Sequence, residues 1–285
     1  MEKIILFYRF CSLADPAAVR LWQEELCGRL NLKGRLIVAE QGINGTLGGR
    51  LEDLKAYKRA LNRVPALRGI DYKWSEGSAA DFPKLSVKVR PELVTLAAGE
   101  GFDPRDSSTA LSPKQWHDYL AANPETLVLD ARNHYESELG YFEAENLIRP
   151  KIKTFKEIKP VLDGLPKDRP VLTYCTGDVR CEYLSAYMLA RGFEEVYHLD
   201  GGIMKYGQAY GDKGFWKGKC YVFDRRMKVG FSKASADLAT CLVCDRATSE
   251  QANCDDCNRQ LVVCAACQRR TWRHCRRPLA SGQLK

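Results

Sequence analysis

The sequence contains no long apolar run, no internal repeat and no low-complexity tract. Nothing in it approaches the roughly 20 consecutive apolar residues of a spanning helix, which excludes an integral helical membrane protein. It also offers no secretory leader. The apolar run Ile4–Tyr8 is short, and Arg9 stops it before any small-residue cleavage site. These absences predict a cytoplasmic chain whose thiols stay reduced. No flavin, haem or iron motif is visible, so no organic cofactor is expected. What the chain does have is cysteine: 12 of them in 285 residues. In a reducing compartment that abundance points to metal binding or sulfur chemistry.

The 45% apolar content excludes disorder along the whole chain, and the length suits two domains with a small third. The net charge of +8 is uneven. Residues 216–285 hold 14 Lys or Arg against 6 Asp or Glu, and residues 1–215 hold 30 of each sign. The same last quarter carries eight of the cysteines. A basic, cysteine-rich end on a neutral body suggests a polyanion-binding appendage. The plainer alternative is a solvated arginine surface.

The pattern divides the chain into residues 1–97, 112–215 and 216–285. In the first unit, Ile4–Tyr8 and Gly34–Ala39 read as strands. Asp15-Pro16 opens a helix running to about Leu30. Gly42, Asn44, Gly45, Gly48 and Gly49 predict tight turns around a short apolar stretch. Leu51–Leu61 is an amphipathic helix, and Leu85–Val89 alternates as a strand. The order β-α-β-β-α-β is that of a ferredoxin-like split α/β fold. Residues 97–113 read as a linker. Beyond it, Ser112-Pro113 caps a helix. Buried strands at Thr126–Asp130, Val171–Tyr174 and Glu195–Leu199 alternate with helical patterns near Thr154–Leu162 and Cys181–Arg191. That alternation predicts a parallel sheet covered on both faces, with ligands at the carboxyl ends of its strands.

One such end is Cys175-Thr176-Gly177-Asp178-Val179-Arg180-Cys181. A thiol between a strand end and a helix N-terminus meets unpaired backbone N–H groups and the positive end of the helix dipole. Both favour the thiolate, so Cys175 is expected to be acidic. Gly177 is expected to let the backbone curl around the sulfur, and Arg180 to add positive charge to an anion cradle. Cys181 is equally readable as a resolving thiol and as a packed residue of the first helical turn. Asp130 and Arg132, at another strand end, are candidates to orient the loop or to form a structural ion pair.

Residues 112–210 resemble the rhodanese superfamily. The resemblance rests on the Cys175–Arg180 loop, Leu129-Asp130-Ala131-Arg132-Asn133, Gly140-Tyr141-Phe142 and Leu199-Asp200-Gly201-Gly202-Ile203. Combined with Ala39-Glu40-Gln41-Gly42-Ile43-Asn44-Gly45-Thr46 and Arg180-Cys181-Glu182, the whole chain is similar to the rhodanese-related tRNA uridine hydroxylases. That resemblance implies a central rhodanese-like catalytic domain and formation of 5-hydroxyuridine at the wobble position of tRNA with molecular oxygen. The sequence departs from the family at Asp178, usually Gly, and Tyr183, usually basic. Asp178 is expected to place a carboxylate against the effect of Arg180. The loop alone would equally serve a sulfurtransferase, and a degenerate loop would suit a non-catalytic RNA-binding protein.

In the tail, Cys241-x-x-Cys244, Cys254-x-x-Cys257 and Cys264-x-x-Cys267 precede His274-Cys275. A two-residue gap lets both sulfurs of a pair reach one tetrahedral ion. One or two structural zinc ions are expected. One pairing joins Cys241, Cys244, Cys264 and Cys267, and leaves Cys254, Cys257, His274 and Cys275 for a second site. Arg259, Arg269, Arg270, Arg273, Arg276, Arg277 and Trp272 lie between and after these pairs and point to RNA contact, with Trp272 as packing.

Overall fold

A computed structural model describes residues 1–96, 99 and 101–269. The first unit is built from β1 (Glu2–Phe10), α1 (Pro16–Arg29), β2 (Lys33–Ala39), β3 (Gly42–Arg50), α2 (Leu51–Asn62), β4 (Tyr72–Glu76) and β5 (Leu85–Val89). The sheet order is β4-β1-β3-β2-β5, the split βαββαβ arrangement with one strand added. Asp15 caps α1 by accepting from the Ala18 N–H at 2.9 Å, as its position before Pro16 requires.

Two expectations for this unit are corrected. The glycine-rich stretch after Ala39 is no series of turns but the nine-residue central strand β3, paired along its length with β1 and β2. Its glycines allow close approach: a Cβ at Gly48 would lie 2.4 Å from the Ser78 carbonyl oxygen. The strand completing the βαββαβ unit is β4, antiparallel to β1, and Leu85–Val89 is an extra edge strand parallel to β2.

Strand alternation gives the sheet two different faces. Ile5, Phe7, Leu36, Val38 and Leu47 pack with Leu54, Tyr57 and Leu61 of α2. The opposite face carries Leu6, Tyr8, Arg35, Ile37, Asn44, Thr46 and Lys73, and no helix of this unit covers it. It turns toward the second unit, whose core includes Tyr8 and Ile37.

That unit contains β6 (Thr109–Leu111), α3 (Pro113–Ala122), β7 (Leu127–Asp130), α4 (His134–Ser137), β8 (Gly140–Phe142), β9 (Asn146–Ile148), α5 (Lys159–Asp163), β10 (Val171–Tyr174), α6 (Val179–Ala190), β11 (Val196–Leu199) and α7 (Gly202–Tyr210). The sheet order β6-β11-β10-β7-β9 is parallel throughout. The edge strand β6 lies inside the stretch expected to be linker, because Tyr197, His198 and Leu199 pair with it.

β12 (Trp216–Gly218) pairs with β8, and Trp216 is fully buried against Phe142 and Tyr174. The chain after the second sheet therefore returns into its core. β13 (Cys220–Tyr221), β14 (Lys228–Val229), β15 (Gln251–Asn253), β16 (Gln260–Val262) and α8 (Ala265–Gln268) follow. The Gln251 side chain donates to the Tyr135 carbonyl oxygen at 2.7 Å, which docks the tail on α4. Among the described residues no helix is long and apolar enough to cross a membrane.

Candidate active site

Cys175 follows β10 directly, and its loop leads into α6. The thiol is 1% exposed. The Asp178 backbone N–H donates to its sulfur at 3.1 Å. Burial pushes the Cys175 thiol up. A hydrogen bond from Cys181, the charge of Arg180 and the Gly177 N–H outweigh that penalty, against the opposing Asp178 carboxylate. Together they bring Cys175 down to about 6. The direction is the one the loop pattern predicts, with the Cys181 thiol rather than the backbone N–H groups as the first cause that lowers it. Cys181 itself is pushed well up, by burial and then by the adjacent Cys175, so it is a thiol donating to a thiolate.

Gly177 has a second role beside curling the backbone around the sulfur. A Cβ there would lie 2.3 Å from Leu6 Cδ2 of β1, so the residue is small to let the loop dock on the N-terminal sheet. The left-handed backbone falls instead on Asp178, at φ +83°. Such a conformation costs a non-glycine residue about 1 kcal/mol or more, and it accounts physically for a glycine-favouring position.

The Asp178 carboxylate offsets that cost with three partners. It meets His198 Nδ1 at 2.7 Å, accepts from the Tyr8 hydroxyl at 2.9 Å and accepts from the Gly201 N–H at 3.3 Å. His198 Nε2 meets the Ser108 carbonyl oxygen at 3.2 Å. Both ring nitrogens face acceptors, a carboxylate and a carbonyl, an arrangement that favours the protonated ring. Burial opposes that charge, but Asp178 and Glu182 raise the His198 pKa. His198 thus partners the Asp178 carboxylate, which still opposes ionisation of Cys175. The same Tyr8 hydroxyl lies 2.6 Å from Glu182, sharing its one proton between the two carboxyl groups, which ties β1 to α6. Tyr183 donates to Glu92 at 2.8 Å and adds a second clasp between the two units.

Arg180 does not stand free over the thiolate. Its guanidinium forks onto Glu136 at 2.6 and 2.7 Å, and Glu136 is fully buried in α4. The sequence signals Glu136 only as the last residue of an Asn133-x-x-Glu136 capping box, of which the Glu136 half forms, accepting from the Asn133 N–H at 3.1 Å. Its pairing across 44 positions has no local signature. Asp130 and Arg132 form a buried pair, with Arg132 Nε donating at 2.8 Å. Arg132 also donates to the Gly140 and Glu136 carbonyls, and Asp130 accepts from the Tyr174 hydroxyl at 2.8 Å. These contacts brace the strand end that presents Cys175. Cys220, pushed up to about 12 chiefly by burial, packs in the same region.

A cavity of about 300 Å³ opens onto Cys175 between the uncovered face of the N-terminal sheet and the loop. Ile4, Leu6, Ile37 and Val94 make one side apolar, and Asn44, Thr46 and Arg35 add polar groups. Sequence reasoning placed no residue of the first unit at the site.

In the tail, Cys241, Cys244, Cys264 and Cys267 bring their sulfurs within 4.8 Å of one another. Tetrahedral Zn–S bonds of about 2.3 Å require S···S separations of about 3.8 Å, and Cys244 to Cys264 is 3.7 Å. The Cys264 N–H also donates to Cys241 sulfur at 3.3 Å, favouring thiolate. This Cys₄ cluster suits a metal ion and matches the first expected pairing. Cys254 and Cys257 are not part of it, and it is the one such group among the described residues. His274 and Cys275 lie outside the described residues, as do Arg270, Trp272, Arg273, Arg276 and Arg277.

Three family models match in order: the UPF0176 acylphosphatase-like domain over residues 2–93, the rhodanese-like domain over 112–209 and the rhodanese C-terminal region over 217–278. The tRNA uridine(34) hydroxylase of Rhodococcus jostii is 46% identical, covering 94% of this chain and 97% of that protein. Those of Corynebacterium kroppenstedtii and Kocuria rhizophila are each 44% identical over 94% of both chains. With an acidic cysteine on a rhodanese-type loop, a split α/β sheet facing it and relatives matched nearly end to end, this chain belongs to the tRNA uridine(34) hydroxylase family.

Proposed function

We propose that this chain hydroxylates uridine 34 of tRNA at C5, with Cys175 as nucleophile and molecular oxygen as co-substrate. The observation that carries the reading is the apolar-walled cavity between the N-terminal sheet and an acidic, buried cysteine. The Cys175 thiolate adds to C6 of the uracil ring, and the C5–C6 π pair shifts toward C5 and the C4 carbonyl. C5 then takes one atom of the oxygen molecule, while the other leaves as water with two electrons and two protons from a separate reductant of the thiol class. Loss of the C5 proton and of the thiolate restores the ring. Arg180 and Cys181 stabilise the thiolate. Asp130 and Arg132 act as positioning residues through Tyr174.

A sulfurtransferase shares the loop but needs charge for an anionic donor. Here the Arg180 charge is already matched by Glu136. We assign one structural zinc to Cys241, Cys244, Cys264 and Cys267, and RNA contact to the basic tail. Mass spectrometry of tRNA nucleosides from a deletion strain tests the activity: 5-hydroxyuridine and its derivatives should disappear and return with the wild-type gene. Unchanged modification, or thiosulfate turnover by the pure protein instead, would overturn it.

A further inference from the structure

We propose that Phe223 is the stacking platform for the base of the reacting nucleotide, with Arg35 meeting a flanking phosphate. The inference rests on the uridine-modifying reading and names the part of the substrate this site grips. Phe223 is 42% exposed and is the one aromatic among the large exposed apolar residues of the described chain. Its ring lines the cavity that holds Cys175.

This exposure is not looseness. Tyr221 packs edge-on against the ring at 5.0 Å, and the Arg180 guanidinium lies 5.8 Å from its centroid. The next three residues are pinned to the N-terminal unit. Asp224 accepts from Arg226 Nε at 2.7 Å, and Arg226 reaches Ser75 Oγ at 3.0 Å. The Arg225 N–H donates to the Asp81 carbonyl oxygen at 2.9 Å, and its guanidinium to that of Ala80 at 3.1 Å. A rigid ring loses little entropy when a base settles on it, and any base has a face to offer.

A uracil must leave its own stack before a thiolate can reach C6. A ring at the cavity mouth replaces the stacking it gives up. Arg35 lines the same cavity from β2, is exposed, and its guanidinium has no side-chain hydrogen bond or ion pair among the described residues. Guanidinium groups in such positions take phosphate oxygens bidentately.

The test compares F223A, F223L, F223W and R35Q in the full chain, using tRNA with uridine at position 34. Base–aromatic stacking is worth about 1–3 kcal/mol, so F223A should lower kcat/KM by about 5- to 150-fold. F223W should stay near wild type, and F223L should lose most of what F223A loses despite keeping apolar volume. The Cys175 alkylation midpoint should stay at about 6 in all of them. R35Q should weaken binding and flatten its salt dependence by about 0.7–0.9 in log–log slope. Wild-type kcat/KM in F223A, or equal activity of F223L and F223W, would overturn the stacking role. Should F223A not fold, the comparison of F223L with F223W decides alone. If wild-type protein leaves uridine 34 unmodified, the parent reading fails rather than this one.

Discussion

Replacing Cys181 by alanine tests the electrostatics of the nucleophile most directly. Cys181 donates a hydrogen bond to Cys175, the largest of the contributions that lower the Cys175 pKa. Hydrogen bonds to charged groups contribute about 1.5–3 kcal/mol, and a thiol is a weak donor, so the low end applies. One pKa unit corresponds to about 1.4 kcal/mol. The Cys175 midpoint should therefore rise from about 6 by about one unit. At pH 7 the thiolate fraction would fall from about nine-tenths to about one-half. Alkylation of Cys175, followed against pH by peptide mass spectrometry, reads this directly, and the acid limb of the modification rate should move with it. The sign follows from the chemistry: the reactive form exists above the midpoint, so activity is lost as pH falls through it. C181S keeps an O–H donor in the same place and should hold the midpoint near its wild-type position. A C181A midpoint that does not move, or equal shifts in C181A and C181S, would refute the argument.

C175S should abolish uridine modification while leaving the melting temperature within a few degrees, since a hydroxyl fills the same space without forming an anion near neutrality. D178G should lower the Cys175 midpoint, because a like charge is removed. It should also destabilise the fold by about 1–2 kcal/mol in denaturant titration: the relaxed backbone returns about 1 kcal/mol, while three buried contacts are lost. A raised midpoint in D178G would contradict this account. In that variant the His198 proton should also be lost at lower pH than in wild type, visible by NMR titration, since Asp178 raises its pKa. Protein purified under reducing conditions should carry about one zinc per chain, and a strong chelator should unmask the four cluster thiols to a thiol reagent. Metal analysis well below one per chain would sink the zinc assignment.

The sequence by itself determined whatever depends on neighbours along the chain. Cys181 and Arg180, which together with the Gly177 N–H favour the Cys175 thiolate, lie within six residues of it in the same loop and helix start, so the expected direction was readable. The two-residue spacing within Cys241/Cys244 and Cys264/Cys267 turns both sulfurs of each pair toward one point. Ser112-Pro113 and Asp15-Pro16 cap their helices through local bonds that do form. Apolar runs located β1, β2, β7, β10 and β11, while β3, β4 and β6 escaped them. The tertiary structure alone decided which distant residues meet. Glycines in β3 look like turn residues locally, yet Ser78 and Leu32 crowd that strand and require their small size. Nothing near Arg180 announces Glu136, and nothing near Asp178 announces Tyr8, 170 positions away. The uncovered sheet face that closes the Cys175 cavity belongs to the same class. Strand periodicity shows that a face exists, but only packing of the two units determines what stands opposite it.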